Sequence, residues 1–442
     1  MSLPIMLGMM AQMMLNIVDG IYVGRLGMES SMAVLNYGFP VFYLLFAFFN
    51  GISIGTNSML ARYIGAKQED KAEKALGQIV WICLAIFAVA VLLYPLGMPR
   101  YLAFLKASEN TAQLTHQFLT FLFIGMPFTI VSLSLGGALR AEGNMRALAT
   151  AQMSAVLINI LVAPFFIFTD FHAFGMQWHG LGWGVKGAGL ASTTANVLAT
   201  LYIVRLYMAG KTQLSWVKFP KWDDFEGVKG IFKVGVPSSI SQILIGINWI
   251  LMTRLAANFG DTAVAAIGIG GRLDLLSVFP ALAIMTSVLT LVGQNYGARH
   301  YDRVRATVRI GLLTSFATLT FISLIVFAAR HSIIHVFHQN DIVNASALHY
   351  VSFQCLGYGL VGINIASSGA FQGLGRGLPF LFLTTLRLLV ITFPVAYLLS
   401  LRIGEYGLHY APVIAALITT VIAVSWLLST VNTLHRKVSQ AL

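Results

Sequence analysis

Charge is what this chain has least of. Asp, Glu, Lys and Arg make up 10% of its 442 residues, against about 25% in an average soluble domain. So little charge cannot clothe a water-facing surface, which excludes a soluble globular fold. Acid is scarcer than base, 16 residues to 28, and the net charge is +12. The basic residues lie scattered in loops between apolar runs, without the stripe or patch that nucleic acid requires, so a nucleic-acid partner is excluded. Cysteine occurs twice, as Cys83 and Cys355, each inside an apolar run. Two such residues suggest neither a disulfide framework nor a zinc site, and both read as packing residues. The GxxxxGK[ST] phosphate loop, HExxH and GxSxG are all missing, as are carboxylates paired at acid–base spacing, so the chain reads as no enzyme. The run GIGG at Gly268–Gly271 follows no strand and is no dinucleotide loop. Period-two alternation is missing too, which excludes a membrane barrel. Met1–Val23 lacks the basic start and small-residue cleavage site of a signal peptide and reads as a retained first helix.

What the chain does have is long apolar runs, with 57% hydrophobic residues overall. They predict twelve membrane spans. The first six cover 2–24, 32–60, 76–97, 113–138, 147–169 and 186–208. The other six cover 229–257, 263–292, 308–329, 345–371, 377–401 and 410–433. The chain also repeats itself about 232 residues apart. ARYIGAKQEDKAEKA at Ala61–Ala75 matches GQNYGARHYDRVRAT at Gly293–Thr307. GALRAEG at Gly137–Gly143 matches GAFQGLG at Gly369–Gly375, and Pro4 matches Pro237. An even number of spans per repeat gives both halves the same orientation, with a substrate path between them. The expected fold is an all-α membrane protein of twelve transmembrane helices in two pseudo-symmetric six-helix lobes around a central cavity. The expected divisions are an N-terminal lobe at 1–210, a cytoplasmic linker at 211–228 and a C-terminal lobe at 229–442. Lys and Arg gather in the loops after even-numbered spans and in the tail, which places both termini in the cytoplasm.

Polar residues inside the spans are the candidates for function. A carboxylate at mid-span costs about 2.5–3.5 kcal/mol on insertion scales, and Asp19 sits among apolar neighbours in span 1. Gln12, Asn16 and Asp19 are spaced by four and three, which puts them on one helical face. That face suits a water-filled cavity, where Asp19 could gain and lose a proton. The competing reading is that span 1 is short and water satisfies Asp19 near its outer end. Pro4, fifteen residues before Asp19, either bends span 1 or simply starts it. Asn159 in span 5 is a candidate partner for Asp19, and helix packing explains it equally well. Asn36, Tyr37, Asn50 and Asn57 in span 2, and Thr193, Thr194 and Asn196 in span 6, are further cavity candidates. Methionines crowd span 1, Met13 among them, and their flexible side chains suit a pocket that accepts many shapes. They also serve as ordinary filler. In the second half Asp274 is the intramembrane carboxylate, with Arg387 or Arg254 as its expected partner. His331, His335 and His338 share one face and read as an interfacial amphipathic stretch.

GAKQEDKAEKA after span 2, GALRAEGNMR after span 4 and QNYGARHYDRVRAT after span 8, in a chain of two six-span halves, resemble the multidrug and toxic compound extrusion family. The resemblance covers nearly the whole chain. Pro4 followed by Asn16-Ile17-Val18-Asp19 is similar to that family's DNA-damage-inducible branch. The resemblance implies an efflux antiporter that exchanges cationic, amphipathic organic compounds for inward-moving protons or sodium. It further implies a coupling site in the N-terminal lobe, with Asp19 as its key carboxylate, Asn16, Asn159 and Thr193 around it, and Pro4 as the bend of span 1. Gln12, Met13, Asn36, Tyr37 and Asn196 would line the substrate cavity. Two departures matter. Many relatives carry an aspartate where this chain has Ala163, and the carboxylates expected on spans 7 and 10 are replaced by Ile245 and Val361. With one acid at the site, protons are the expected coupling ion and sodium the alternative. No other cofactor and no metal site are expected. The expected setting is the bacterial inner membrane, with amphipathic or cationic drugs and the lipid bilayer as partners and a monomer as the assembly. A lipid-linked glycan flippase is the nearest rival, but it calls for several basic residues facing the cavity, and only Arg272 and Arg387 fall inside spans away from their ends. An integral membrane enzyme would need His or acid clustered at one depth, which the sequence does not show.

Overall fold

The computed structural model describes residues 2–8, 10, 18, 21–22, 29–104, 108–173, 175–215, 219–337 and 341–439. It is helical nearly throughout. Residues 2–8 are helical (α1). They are followed by α2 (Glu29–Gly65), α3 (Glu69–Phe104), α4 (Glu109–Glu142), α5 (Met145–Ile167) and α6 (Gly184–Met208). The second half begins with α7 (Glu226–Ala256), α8 (Asp261–Gly297), α9 (Tyr301–Phe337) and α10 (Asp341–Gly373). Then α11 (Leu378–Thr385) runs through a π-helical turn at Leu386–Thr392 into α12 (Phe393–Ile403), and α13 (Tyr406–Ser439) follows. The helices outrun the apolar stretches because charged residues extend them into water: α3 opens with Glu69 and Asp70, and α9 has Asp302 in its first turn. His331 and His335 belong to the continuous helix α9, and His338 lies outside the described residues. One element was not foreseen. Between α5 and α6 a hairpin pairs β1 (Asp170–Ala173) with β2 (Met176–His179), turning at Gly175, whose φ is +75°.

Among the described residues, ten helical stretches are long and apolar enough to cross a membrane. α10 is long enough at 33 residues but too polar to count among them. It carries Asn344, Gln354, Asn364, Ser367, Ser368 and Gln372, all buried. This helix packs against α8, α9 and α13, so protein surrounds its polar side chains. α9 turns Ile310, Leu313, Phe321 and Leu324 outward, which is the surface hydrocarbon requires.

The repeat is visible in the backbone. α2 and α8 end in the same six-residue cap. After α2, Lys67 N–H bonds the Ile64 carbonyl and Gln68 N–H the Tyr63 carbonyl; after α8, Arg299 bonds Tyr296 and His300 bonds Asn295. Lys67 and Arg299 occupy the left-handed region, at φ 57° and 59°. α4 and α10 end alike on Gly143 and Gly375, at φ 81° and 75°. These caps satisfy carbonyls that a helix end leaves open. They explain why Gly-Ala-basic and the terminal glycine recur in the sequence.

The chain forms two compact units. The first holds Leu3–Thr56 and Glu69–Lys229. In it, Thr193, Thr200 and Tyr207 of α6 donate to the carbonyls of Phe121, Phe128 and Leu135 on α4, at 2.8, 3.0 and 3.1 Å. Seven-residue spacing returns each hydroxyl to the same face, so three bonds fasten the two helices along their length. The polar segment before α7 docks on acids of the first repeated loops. Glu142 accepts from the backbone of Gln213 and Leu214, Glu73 accepts from Ser215 N–H, and Lys74 pairs with Asp223. The second unit holds Asn57–Gln68 and Gly230–Leu442. Within it the ends of α2 and α8 cross at van der Waals contact. A Cβ on Gly65 would lie 1.9 Å from the Gln294 carbonyl oxygen, and one on Gly297 would lie 2.0 Å from that of Arg62. The contact is reciprocal between repeat-equivalent positions, as a twofold relation between two segments requires.

Gly65→Ala or Gly297→Ala should therefore lower stability by about 1–3 kcal/mol through overpacking. Gly268→Ala, at a helical glycine with open space around it, should be neutral or stabilise by up to about 1 kcal/mol. Thermal unfolding of the purified protein in detergent checks this, and equal midpoints for all three variants would contradict it.

Candidate functional site

The predicted coupling residues divide between what the structure describes and what lies beyond it. Asp19, Asn16, Gln12 and Met13 are outside the described residues, as is the side chain of Asn36. Pro4 is half-buried in α1. Its repeat partner Pro237 lies inside α7. There the proline leaves the Lys233 carbonyl without its helical donor, and Gly377 packs close against that carbonyl.

Asn159 on α5 is fully buried. Its side-chain amide donates to Ser192 Oγ on α6 at 3.2 Å, while its Oδ1 has no hydrogen-bond partner among the described residues. Thr193 is next to Ser192, but its hydroxyl is engaged by α4 as described above. Asn196 donates to the Ser192 carbonyl of its own helix at 2.9 Å. Tyr37 accepts through its carbonyl from the Tyr101 hydroxyl at 3.0 Å. The structure thus brings Asn159 and the Ser192–Thr193 pair together where α5 meets α6. The opening segment reaches α5 at two levels. A Cβ on Gly8 would meet the Gln152 side chain, and the Tyr22 hydroxyl donates to the Ile160 carbonyl at 3.2 Å, one residue from Asn159.

A second polar constellation lies in the other unit. Asp274 on α8 accepts hydrogen bonds from Tyr350 Oη at 3.1 Å and Tyr358 Oη at 2.7 Å, both on α10. Gly270 clears the way, since a Cβ there would strike the Tyr350 ring. The expected ion pair with Arg387 or Arg254 is not formed. The ion pairs found among the described residues join Lys71 to Glu226, Lys74 to Asp223 and His179 to Asp170. Tyrosine replaces arginine as the partner because two hydroxyl donors satisfy a carboxylate without a second buried charge. The ring of Tyr350 meets His409 of α13 edge-on at 5.4 Å. His409 Nδ1 lies 2.9 Å from His349 Nδ1, and Gln354 donates to the His409 carbonyl at 3.3 Å. Sequence reasoning passed over Tyr350, Gln354 and Tyr358. The signal was their spacing of four, which lines one face of a span with polar groups.

Apolar helices that cross a membrane, a repeat visible in their caps, and isolated polar side chains buried between them define a multi-pass membrane transporter. The comparisons say which kind. The MatE family model matches residues 4–165 and again 237–398, so the chain belongs to the MatE family, whose members are transporters and not enzymes. Multidrug export protein MepA of Staphylococcus aureus (strain bovine RF122 / ET3-1) is 24% identical over 418 residues, 94% of this chain and 89% of that protein. The protein of the same name from Staphylococcus haemolyticus (strain JCSC1435) is 26% identical over 427 residues, 96% of this chain and 90% of that one. A MATE crystallised in complex with MaD3S matches with a TM-score of 0.91 at 23% identity, over 98% of this chain and 95% of that chain. An outward-facing multidrug resistance transporter of the MATE family matches with a TM-score of 0.91 at 24% identity, again over 98% and 95%. The last two likenesses establish the fold.

Tyr358→Phe should destabilise the protein by about 1–3 kcal/mol, because Asp274 would lose a donor where water cannot replace it. In an Asp274→Asn background the same change should cost less, since the neutral amide demands less of its donors. A double-mutant cycle on unfolding free energy measures the difference. Strict additivity would show that the hydroxyl does not serve the carboxylate.

Proposed function

We propose that the protein exports cationic and amphipathic organic compounds across the bacterial inner membrane in exchange for protons. The observation that carries this reading is the match to multidrug export proteins over 94–96% of the chain. It belongs by this reading to the DNA-damage-inducible branch, acts as a monomer and keeps both termini in the cytoplasm. Residues 1–210 and 229–442 act as two lobes joined by 211–228.

In this mechanism Asp19 is the carrier of the coupled proton. Ionised, it favours a cationic substrate taken from the cytoplasmic side. Protonated from outside, it loses that attraction and the substrate leaves. A ligand shifts such a conformational equilibrium only by its differential affinity for the two states, and one carboxylate that changes charge supplies that difference for both proton and cation. Three observations support it. Tyr22, three residues beyond Asp19, is bonded beside Asn159. Asn159 keeps an open acceptor, suited to the hydroxyl of a protonated carboxyl and of no use to an ionised one. Ala163 stands where the family resemblance leads one to expect a second acid, so a sodium ion would find one formal negative charge where it prefers several oxygen ligands. Asn16 and Thr193 complete the surroundings, and Pro4 lets α1 bend with the charge state of Asp19.

Asp19→Asn should lower drug resistance of cells carrying the transporter by roughly tenfold or more, towards that of cells without it. Asp19→Glu should retain part of the activity. Growth in graded concentrations of a cationic dye, at matched membrane expression, reads this out; full resistance in the Asp19→Asn strain would remove Asp19 from the mechanism.

A further inference from the structure

Arg387 is a cation within a membrane span that has lost its expected partner. It is half-buried on the π-helical turn between α11 and α12. No described residue gives its guanidinium a hydrogen bond or an ion pair. The turn itself has a cause. Pro394 lacks an N–H and crowds the turn before it, and Phe393 N–H reaches back five residues to the Leu388 carbonyl. Such π turns recur at functional sites. An unpaired guanidinium in a span is costly to keep, and marks a site by default.

Arg387 lines a small cleft, open on one side and with about 20 Å³ of cavity space, together with Asn364, Ser368, Phe380, Leu383 and Thr384. The other polar groups are largely committed. The Asn364 amide donates to the Leu360 and Ala416 carbonyls and to Thr420 Oγ1, and Ser368 Oγ donates to the Asn364 carbonyl. Among the described residues the unused donors are therefore the five N–H groups of Arg387 and the hydroxyl of the buried Thr384, while Phe380 and Leu383 supply an apolar wall. That space is about what one water-sized group needs and far below the roughly 300–1,000 Å³ of a whole drug site, so the cleft takes only the head of a larger molecule and the body lies outside it. A guanidinium fork matches planar or tetrahedral oxyanions.

We infer that this pocket binds a single acidic group, a carboxylate, sulfonate or phosphate, carried on an apolar or aromatic body. Resting on the export reading above, it extends the substrates to anionic and zwitterionic amphiphiles. A substrate and a lipid headgroup both carry such an acid, and the two sources are separable by experiment.

The test measures binding, so it stands apart from transport. The full chain is placed in nanodiscs of neutral phosphatidylcholine, and equilibrium dialysis follows 2-naphthalenesulfonate and, as its cationic counterpart, 2-naphthylmethylammonium. The wild type should bind the sulfonate about tenfold more tightly than Arg387→Gln, with Arg387→Lys in between and the cation bound equally by all three. Nanodiscs containing phosphatidylglycerol should weaken sulfonate binding if lipid phosphate shares the pocket, and leave it unchanged if only soluble acids enter. Equal sulfonate affinity in wild type and Arg387→Gln overturns the inference. So does a parallel loss of both probes, which would mark Arg387 as structural. If Arg387→Gln does not fold, Arg387→Lys decides by the same criterion. A wild type that binds the sulfonate but exports no drug would reject the export reading and leave this site standing.

Discussion

A polar group in hydrocarbon has only protein to bond with, and that constraint organises this molecule. It explains why α10, a long helix too polar to count among the candidate spans, is enclosed by α8, α9 and α13. It explains the three hydroxyl bonds from α6 to α4 and the left-handed caps that close α2, α4, α8 and α10. It also sets the value of glycine. Where α2 and α8 cross, Gly65 and Gly297 let two backbones touch, so the motif that repeats in sequence is the motif that packs.

Against that background the unsatisfied groups stand out. Among the described residues, none bonds Asn159 Oδ1 in the first unit or the Arg387 guanidinium in the second. Asp274 illustrates the opposite outcome. Two tyrosine hydroxyls hold it, and a carboxylate settled in this way leaves Arg387 free of its expected counter-charge. By the proposals above, the two units carry different chemistry: an acceptor and a carboxylate for protons and cations in one, a guanidinium for acidic groups in the other.

Much of the fold was legible in the chain. Apolar runs located the spans because hydropathy and helix length are linked by the thickness of hydrocarbon. The repeat was readable because caps demand particular residues, as at Gly143 and Gly375. Less could be read where pairing decides. Asp274 and Arg387 looked like partners because both are charged and intramembrane, yet which helices meet, and at what level, is not written in either span alone. The β-hairpin at Asp170–His179 was missed because its strands are only four residues each. Of the predicted site, Asn159 and Thr193 are brought within one helix contact of each other, but the Thr193 hydroxyl serves α4. Linear spacing gives a residue its helical face and leaves open which neighbour claims it.

In the proposed mechanism one carboxylate, Asp19, lets protons drive export. Proteoliposomes containing the purified transporter, loaded and diluted to impose either a pH gradient without sodium or a sodium gradient without a pH difference, test it most directly. A cationic dye should move against its gradient under the pH difference alone, and Asp19→Asn should abolish the movement. Equal transport driven by sodium at uniform pH would contradict the account.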